Sequence, residues 1–196
     1  MHARSIARIA AAIFPSPAAT LSAVFLIGAC WAALGGAAGA FKGVEVIGAK
    51  VGANLMAYGG QDPANKAMGT FWKFDPATGQ WAQLPSNPVP VHHGAAASIG
   101  NKFYVFGGFR LPDTGKVGWY PENKAWVFDM DKGSWSALPP MPTPHGALAA
   151  VAVGTRIYVS GGAKIPSGVD LPDGLTAGGP VELLGTLEAL DTQTNT

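Results

Sequence analysis

The sequence predicts an all-β chain of repeated four-stranded antiparallel sheets, set one after another like the blades of a propeller. Three observations carry this. A ten-residue stretch occurs three times without gaps, as Val51–Gly60 (VGANLMAYGG), Ile99–Gly108 (IGNKFYVFGG) and Val153–Gly162 (VGTRIYVSGG). A second element follows each copy: Phe71–Trp81 (FWKFDPATGQW), Ala125–Trp135 (AWVFDMDKGSW) and Leu187–Thr196 (LEALDTQTNT). The chain holds 27 Gly and 16 Pro with 48% apolar residues, which suits many short strands joined by turns. Self-similarity at a period of roughly fifty residues marks an array of repeated units.

Residues 1–40 have no repeat partner. They begin with His2, Arg4 and Arg8, carry no charge from there to Lys42, and centre on the apolar run Leu21–Leu34. Ala38-Gly39-Ala40 is a small-x-small cleavage pattern, so this stretch reads as an export signal. Two alternatives stay open. The uncharged run is long enough for an uncleaved membrane anchor. Ile27-Gly28-Ala29-Cys30 resembles a bacterial lipobox, which would attach lipid at Cys30. All three place the remainder in the periplasm or outside the cell, because the basic flank stays inside.

Residues 41–196 then hold about two and a half blades, at approximately 44–84, 92–138 and 145–196, the last incomplete. The middle blade is the most complete, with strands expected at Gly94–Ile99, Lys102–Phe106, Lys124–Asp129 and Ser134–Leu138. Val44–Ile47 and Ala147–Val153 are the expected inner strands of the first and third blades. The second and third strands are joined by long loops at Gln61–Thr70, Phe109–Asn123 and Ala163–Thr186. Pro-rich links, Pro85–His93 and Pro139–His145, lead from outer strands to the next inner strands, and proline stiffens them. Gly59, Gly107 and Gly161, each paired with Gly60, Gly108 or Gly162, end strands where a Cβ would obstruct the turn or a neighbour. Asp75, Asp129 and Asp191 open tight turns. Trp81 and Trp135 are suited to sealing the seam between blades.

An apolar strand ending in Gly-Gly, an aromatic residue with Asp, then Trp six residues later resembles the kelch repeat, over about residues 44–196. Phe74, Phe128 and Leu190 stand where that family usually has Tyr, which removes a hydroxyl from each blade. The resemblance implies a kelch-type β-propeller, of the kind found in exported bacterial kelch proteins and in the central domain of galactose-oxidase-like enzymes. A closed propeller takes more blades than this stretch provides. Asp191 is followed by only five residues, too few for a third Trp. The chain is therefore expected to be a fragment, and residues 41–196 alone are expected to aggregate through open strand edges.

Composition narrows function. A net charge of +1, or 11 Lys/Arg against 12 Asp/Glu once residues 1–40 are set aside, marks no nucleic-acid surface. A single Cys excludes an intrachain disulfide and a CxxC metal site. No triad, phosphate loop or paired-carboxylate motif is present.

Antiparallel topology puts the long loops and the Pro-rich links on one face, and loops on a rigid scaffold are where binding resides. The candidates there are His93, His145, Arg110, Trp119, Tyr120 and Lys164, with His92, Asp113, Lys116, Asp170 and Asp173 nearby. Trp119 and Tyr120 beside Arg110 and Lys116 suit stacking on a sugar ring, or packing of the loop on itself. The histidines offer imidazole chemistry. Alternation along an extended chain, however, separates His92 from His93, and no carboxylate lies close in sequence to orient them. His93 and His145 are thus expected at equivalent blade positions, bonded to backbone, with no metal and no cofactor. The function expected is an exported binding module for protein or glycan. The alternative is part of a carbohydrate-active kelch enzyme. It would resemble a sialic-acid epimerase or mutarotase, or a galactose oxidase whose copper site and Cys–Tyr crosslink lie outside this stretch.

Overall fold

A computed structural model describes residues 43–110, 119–166 and 181–196. The region read as an export signal lies outside these. Among the described residues no helix is long and apolar enough to cross a membrane.

The described chain is all-β. Blade one is the sheet β1 (Ile47–Val51), β2 (Asn54–Tyr58), β3 (Phe71–Asp75) and β4 (Gln80–Leu84), in that order and antiparallel throughout. Blade two repeats it with β5 (Ala95–Ile99), β6 (Lys102–Phe106), β9 (Ala125–Asp129) and β10 (Ser134–Leu138). Blade three has three strands among the described residues, β11 (Ala149–Val153), β12 (Arg156–Ser160) and β15 (Leu187–Asp191). The innermost strands β1, β5 and β11 are neighbours in that order, so the sheets radiate from one side. Two short ribbons extend the second-to-third connections: β7 (Phe109–Arg110) with β8 (Tyr120–Pro121), and β13 (Ala163–Lys164) with β14 (Glu182–Leu183). These loops are therefore hairpins at their base.

The inner strand of blade one differs from expectation. It runs Ile47–Val51, not Val44–Ile47. Glu45 has φ 59°, a left-handed conformation that no strand continues through, and pairing starts two residues later. The equivalent residues His93 (φ 53°) and Ala147 (φ 56°) do the same before β5 and β11.

Both faces of β6 are buried, since blade two is sandwiched by its neighbours. Phe103 and Val105 of β6 pack toward blade one with Met56, Tyr58, Phe71 and Phe128. Tyr104 and Phe106 pack toward blade three with Ile157, Val159 and Leu190. Trp135 closes the first seam, its ring 5.0 Å from Phe71, 5.2 Å from Phe128 and 5.4 Å from Tyr58. Its indole N–H donates to the Pro85 carbonyl at 2.7 Å. A half-buried aromatic with its single donor satisfied is a strong seam element. Trp81 packs on Phe74 within blade one.

The repeated aspartates build their turns by accepting backbone N–H bonds: Ala77 on Asp75 (2.8 Å), Asp131 on Asp129 (3.0 Å) and Gln193 on Asp191 (3.0 Å). The Gly doublets stitch one blade to the next. Gly60 N–H donates to Val91 O and Gly108 N–H to His145 O, both at 3.0 Å. At Gly60 and Gly108 φ is 93° and 105°, and an added Cβ would fall 2.6 and 2.8 Å from the Val44 and His92 carbonyl oxygens.

Candidate functional site

One face gathers the residues before the inner strands and the ribbons β7–β8 and β13–β14. Bridges His92↔Phe109 and Gly146↔Ala163 tie each Pro-rich link to the ribbon of its own blade. Ribbon β8 in turn touches β13, joining blades two and three.

The repeat register corrects the reading of the histidines. His92 and Gly146 hold the same bridging position, and His145 matches Val91, because each accepts the bond from the preceding blade's second Gly. His93 therefore corresponds to Glu45 and Ala147, not to His145. The Pro-rich links are equally long, ten residues from β4 to β5 and ten from β10 to β11. The sequence misleads because His93-Gly94 and His145-Gly146 are like dipeptides standing two residues apart in the repeat register. His145 is fully buried and its Nδ1 lies 2.7 Å from Gly161 O, the backbone bond expected of it. Its Nε2 is 3.9 Å from Glu188 Oε2, beyond hydrogen-bond reach.

His92 and His93 are not kept apart. Their Nδ1 atoms are 2.6 Å from one another. The left-handed backbone at His93 breaks the strand alternation that would have sent the two rings to opposite sides. A carboxylate joins them from blade one: Glu45 Oε2 is 2.9 Å from His93 Nδ1 and 3.5 Å from His92 Nδ1. Glu45 lies more than forty residues away in sequence, and local spacing gave no sign of it. The available signal was the repeat itself, since Glu45 and His93 each stand two residues before an inner strand.

Surroundings set the charge of this group. His92 is fully buried, and burial, reinforced by the neighbouring His93, pushes its pKa down to about 4. Burial also lowers His93 and raises Glu45. Both imidazoles are thus neutral at pH 7, the form that carries a free lone pair. Trp119 walls the pair, its ring 4.8 Å from each histidine, and Phe109 stacks on Trp119 at 5.7 Å. Trp119 is thereby committed to this cluster on at least one side. His92 Nε2 and Trp119 Nε1 are buried without a hydrogen-bond partner among the described residues.

The remaining candidates form a charged rim. Arg110 pairs opposite Tyr120, and its Nε is 3.2 Å from the largely buried Glu122 carboxylate. Lys124 approaches the same carboxylate at 3.7 Å. Lys164 is 3.3 Å from Glu182. Asp113, Lys116, Asp170 and Asp173 lie outside the described residues.

Residues 30–196 match the family described as the KLHDC2/KLHL20/DRC7 Kelch-repeats domain. The chain belongs to the kelch-repeat family. Its kelch relatives include Kelch-like protein terF of Aspergillus terreus, 32% identical over 92 residues, which is 46% of this chain and 20% of terF. N-acetylneuraminate epimerase 1 of Escherichia coli O6:H1 is 29% identical over 102 residues, 50% of this chain and 26% of the relative. The human Rab9 effector protein with kelch motifs is 34% identical over 97 residues, 45% of this chain and 24% of the relative. The kelch chain thus aligns with about a quarter or less of each relative. Kelch propellers are a protein-binding module type, and these blades have that architecture.

Proposed function

We propose that this kelch segment is an exported binding module that takes a protein partner on the face of β7–β8 and β13–β14. The observation that carries the reading is the contact of β8 with β13. It brings Tyr120 of one blade near Lys164 of the next, with Arg110 paired to Tyr120 on the same ribbon. Arg110 and Lys164 are each steered by a carboxylate while about a third of each side chain stays exposed. Cations oriented this way recognise a partner with little ordering cost. The human relative is named an effector of Rab9, in keeping with a protein ligand. The test is a photo-crosslinking residue placed at Tyr120 or, on the opposite face, at Asn101. A partner captured from Tyr120 alone supports the reading, and equal capture from Asn101 refutes it.

Export rests on the basic start, apolar centre and small-residue end of residues 1–40. Fractionation and N-terminal sequencing test it. A cytoplasmic product beginning at Met1 refutes export, and a lipid-modified Cys30 would make the segment membrane-anchored.

A second reading is a carbohydrate-active kelch enzyme of the sialic-acid epimerase type, with the glycan stacked near Trp119 and Tyr120. The similarity to the Escherichia coli epimerase supports it. So does the 2.9 Å Glu45–His93 contact, which pairs a partly exposed carboxylate with an imidazole as general acid–base chemistry requires. Interconversion of sialic-acid anomers or epimers by the purified chain, lost in Glu45→Gln, would favour this reading over the first.

A further inference from the structure

We propose that Glu45, His92 and His93 form a binding site for a divalent transition-metal ion of the zinc class, bridging blades one and two. Three potential ligand atoms converge: Nδ1 of His92, Nδ1 of His93 and Oε2 of Glu45, at mutual distances of 2.6, 2.9 and 3.5 Å. A tetrahedral ion with ligand bonds of about 2.0–2.1 Å holds its ligands roughly 3.3 Å apart. The Glu45 distances bracket that value, and the two imidazoles need to part by only a fraction of an ångström.

Proton counting favours a cation here. The Nδ1 of a neutral imidazole is either a donor or an acceptor, and the ionised carboxylate only accepts. If His93 Nδ1 carries a hydrogen, Glu45 and His92 compete for it. If His92 carries it, His93 turns a lone pair toward the Glu45 carboxylate. No single proton satisfies all three atoms, whereas one metal ion does. Two imidazoles and a carboxylate are also a donor set that zinc and its neighbours accept.

The site is built rather than accidental. Glu45 and His93 occupy the same repeat position on consecutive blades, in the same left-handed conformation, and this brings their side chains together beside the inner strands. Blade three has Ala147 there, so the donor set belongs to the first seam alone among the described residues. His92 is locked by two backbone bonds with Phe109, of 3.0 and 2.8 Å. Phe109 and Trp119 supply an apolar wall, which strengthens charge–ligand attraction by excluding water. Glu45 keeps about a third of its side chain exposed, leaving an open side for a water molecule or a ligand group to complete coordination. Sites with three protein ligands and one open position can bind an exogenous donor. The proposal does not depend on the identity of any macromolecular partner.

The full-length, untagged chain is stripped of metal with a chelator and titrated with zinc by calorimetry, and separately with cobalt(II) by visible absorption. The expected result is one equivalent of zinc bound with submicromolar affinity, cobalt d–d bands of a low-coordinate N/O site, and a change in Trp119 emission. Glu45→Gln, at a partly exposed position, should keep the wild-type circular dichroism and melting profile in the metal-free state while losing at least about tenfold in zinc affinity, as loss of one ligand implies. His93→Ala should lose about a hundredfold or more. The proposal is overturned if the wild type shows no saturable zinc binding at micromolar concentrations. It is equally overturned if Glu45→Gln and His93→Ala both bind as the wild type does, since the metal would then sit elsewhere, for instance at His2.

Discussion

Gly108 is held on three sides at once. Its φ of 105° is closed to ordinary side chains, its N–H bonds His145 O, and a Cβ would crowd the His92 carbonyl and Val91. Gly108→Ala is therefore expected to lower stability by roughly 2–4 kcal/mol, combining backbone strain with a steric shift that the neighbouring blade must absorb. Gly100 is the useful control. It also has positive φ (58°), but nothing lies within 4 Å of its missing Cβ. Gly100→Ala should cost only about 1 kcal/mol, the strain term alone. Paired thermal melts of the two variants check the difference, and equal costs would mean that the inter-blade approach at Gly108 is soft. The residue scale is also where sequence reading was weakest. Trp135, Asp75, Asp129 and Asp191 stand where the repeat suggested because their roles are local or repeat-periodic. The Glu45–His92–His93 cluster was not legible, because it depends on a left-handed residue that reverses side-chain direction and on a partner one blade away. Neither leaves a mark in local spacing.

At the scale of elements, legibility was high wherever a Gly turn or an Asp turn pins a strand end. Lys102–Phe106 and Ser134–Leu138 have the boundaries that the pattern indicates, and Ala125–Asp129 begins one residue late. Errors gather at the inner strands' starts, where a left-handed residue delays pairing by two places, so Val44–Ile47 was placed too early. The outermost described strand of blade three is the element most exposed to association. β15 pairs with β12 on one side, and Leu187 is 69% exposed on it. Exposed apolar side chains favour association. Leu187→Lys should reduce self-association of residues 41–196, seen as lower light scattering at equal concentration and unchanged circular dichroism. Scattering that stays at the wild-type level would place the sticky surface elsewhere, with exposed Leu183 the next position to change.

Across the whole molecule the two seams are unequal. The first is rich in aromatics, with Tyr58, Phe71, Phe103, Phe128 and Trp135 in a connected cluster. At the second, the repeat substitutes Phe106, Ala125, Ile157 and Leu190 at the corresponding places, and the volume falls. Lost packing contacts of this kind weaken an interface without changing its shape. Amide hydrogen exchange should therefore show β11, β12 and β15 opening at lower free energy than β2, β3, β6 and β9, as a separate cooperative unit. Uniform protection across all three blades would contradict this. The mechanical corollary concerns where the molecule yields. Pulled apart along the array, it should part at the second seam, with blades one and two leaving as a single body joined by the Trp135 clasp. Within the described blades, force would then detach blade three before it parts blades one and two, and single-molecule extension traces should show one short, early step before the main rupture.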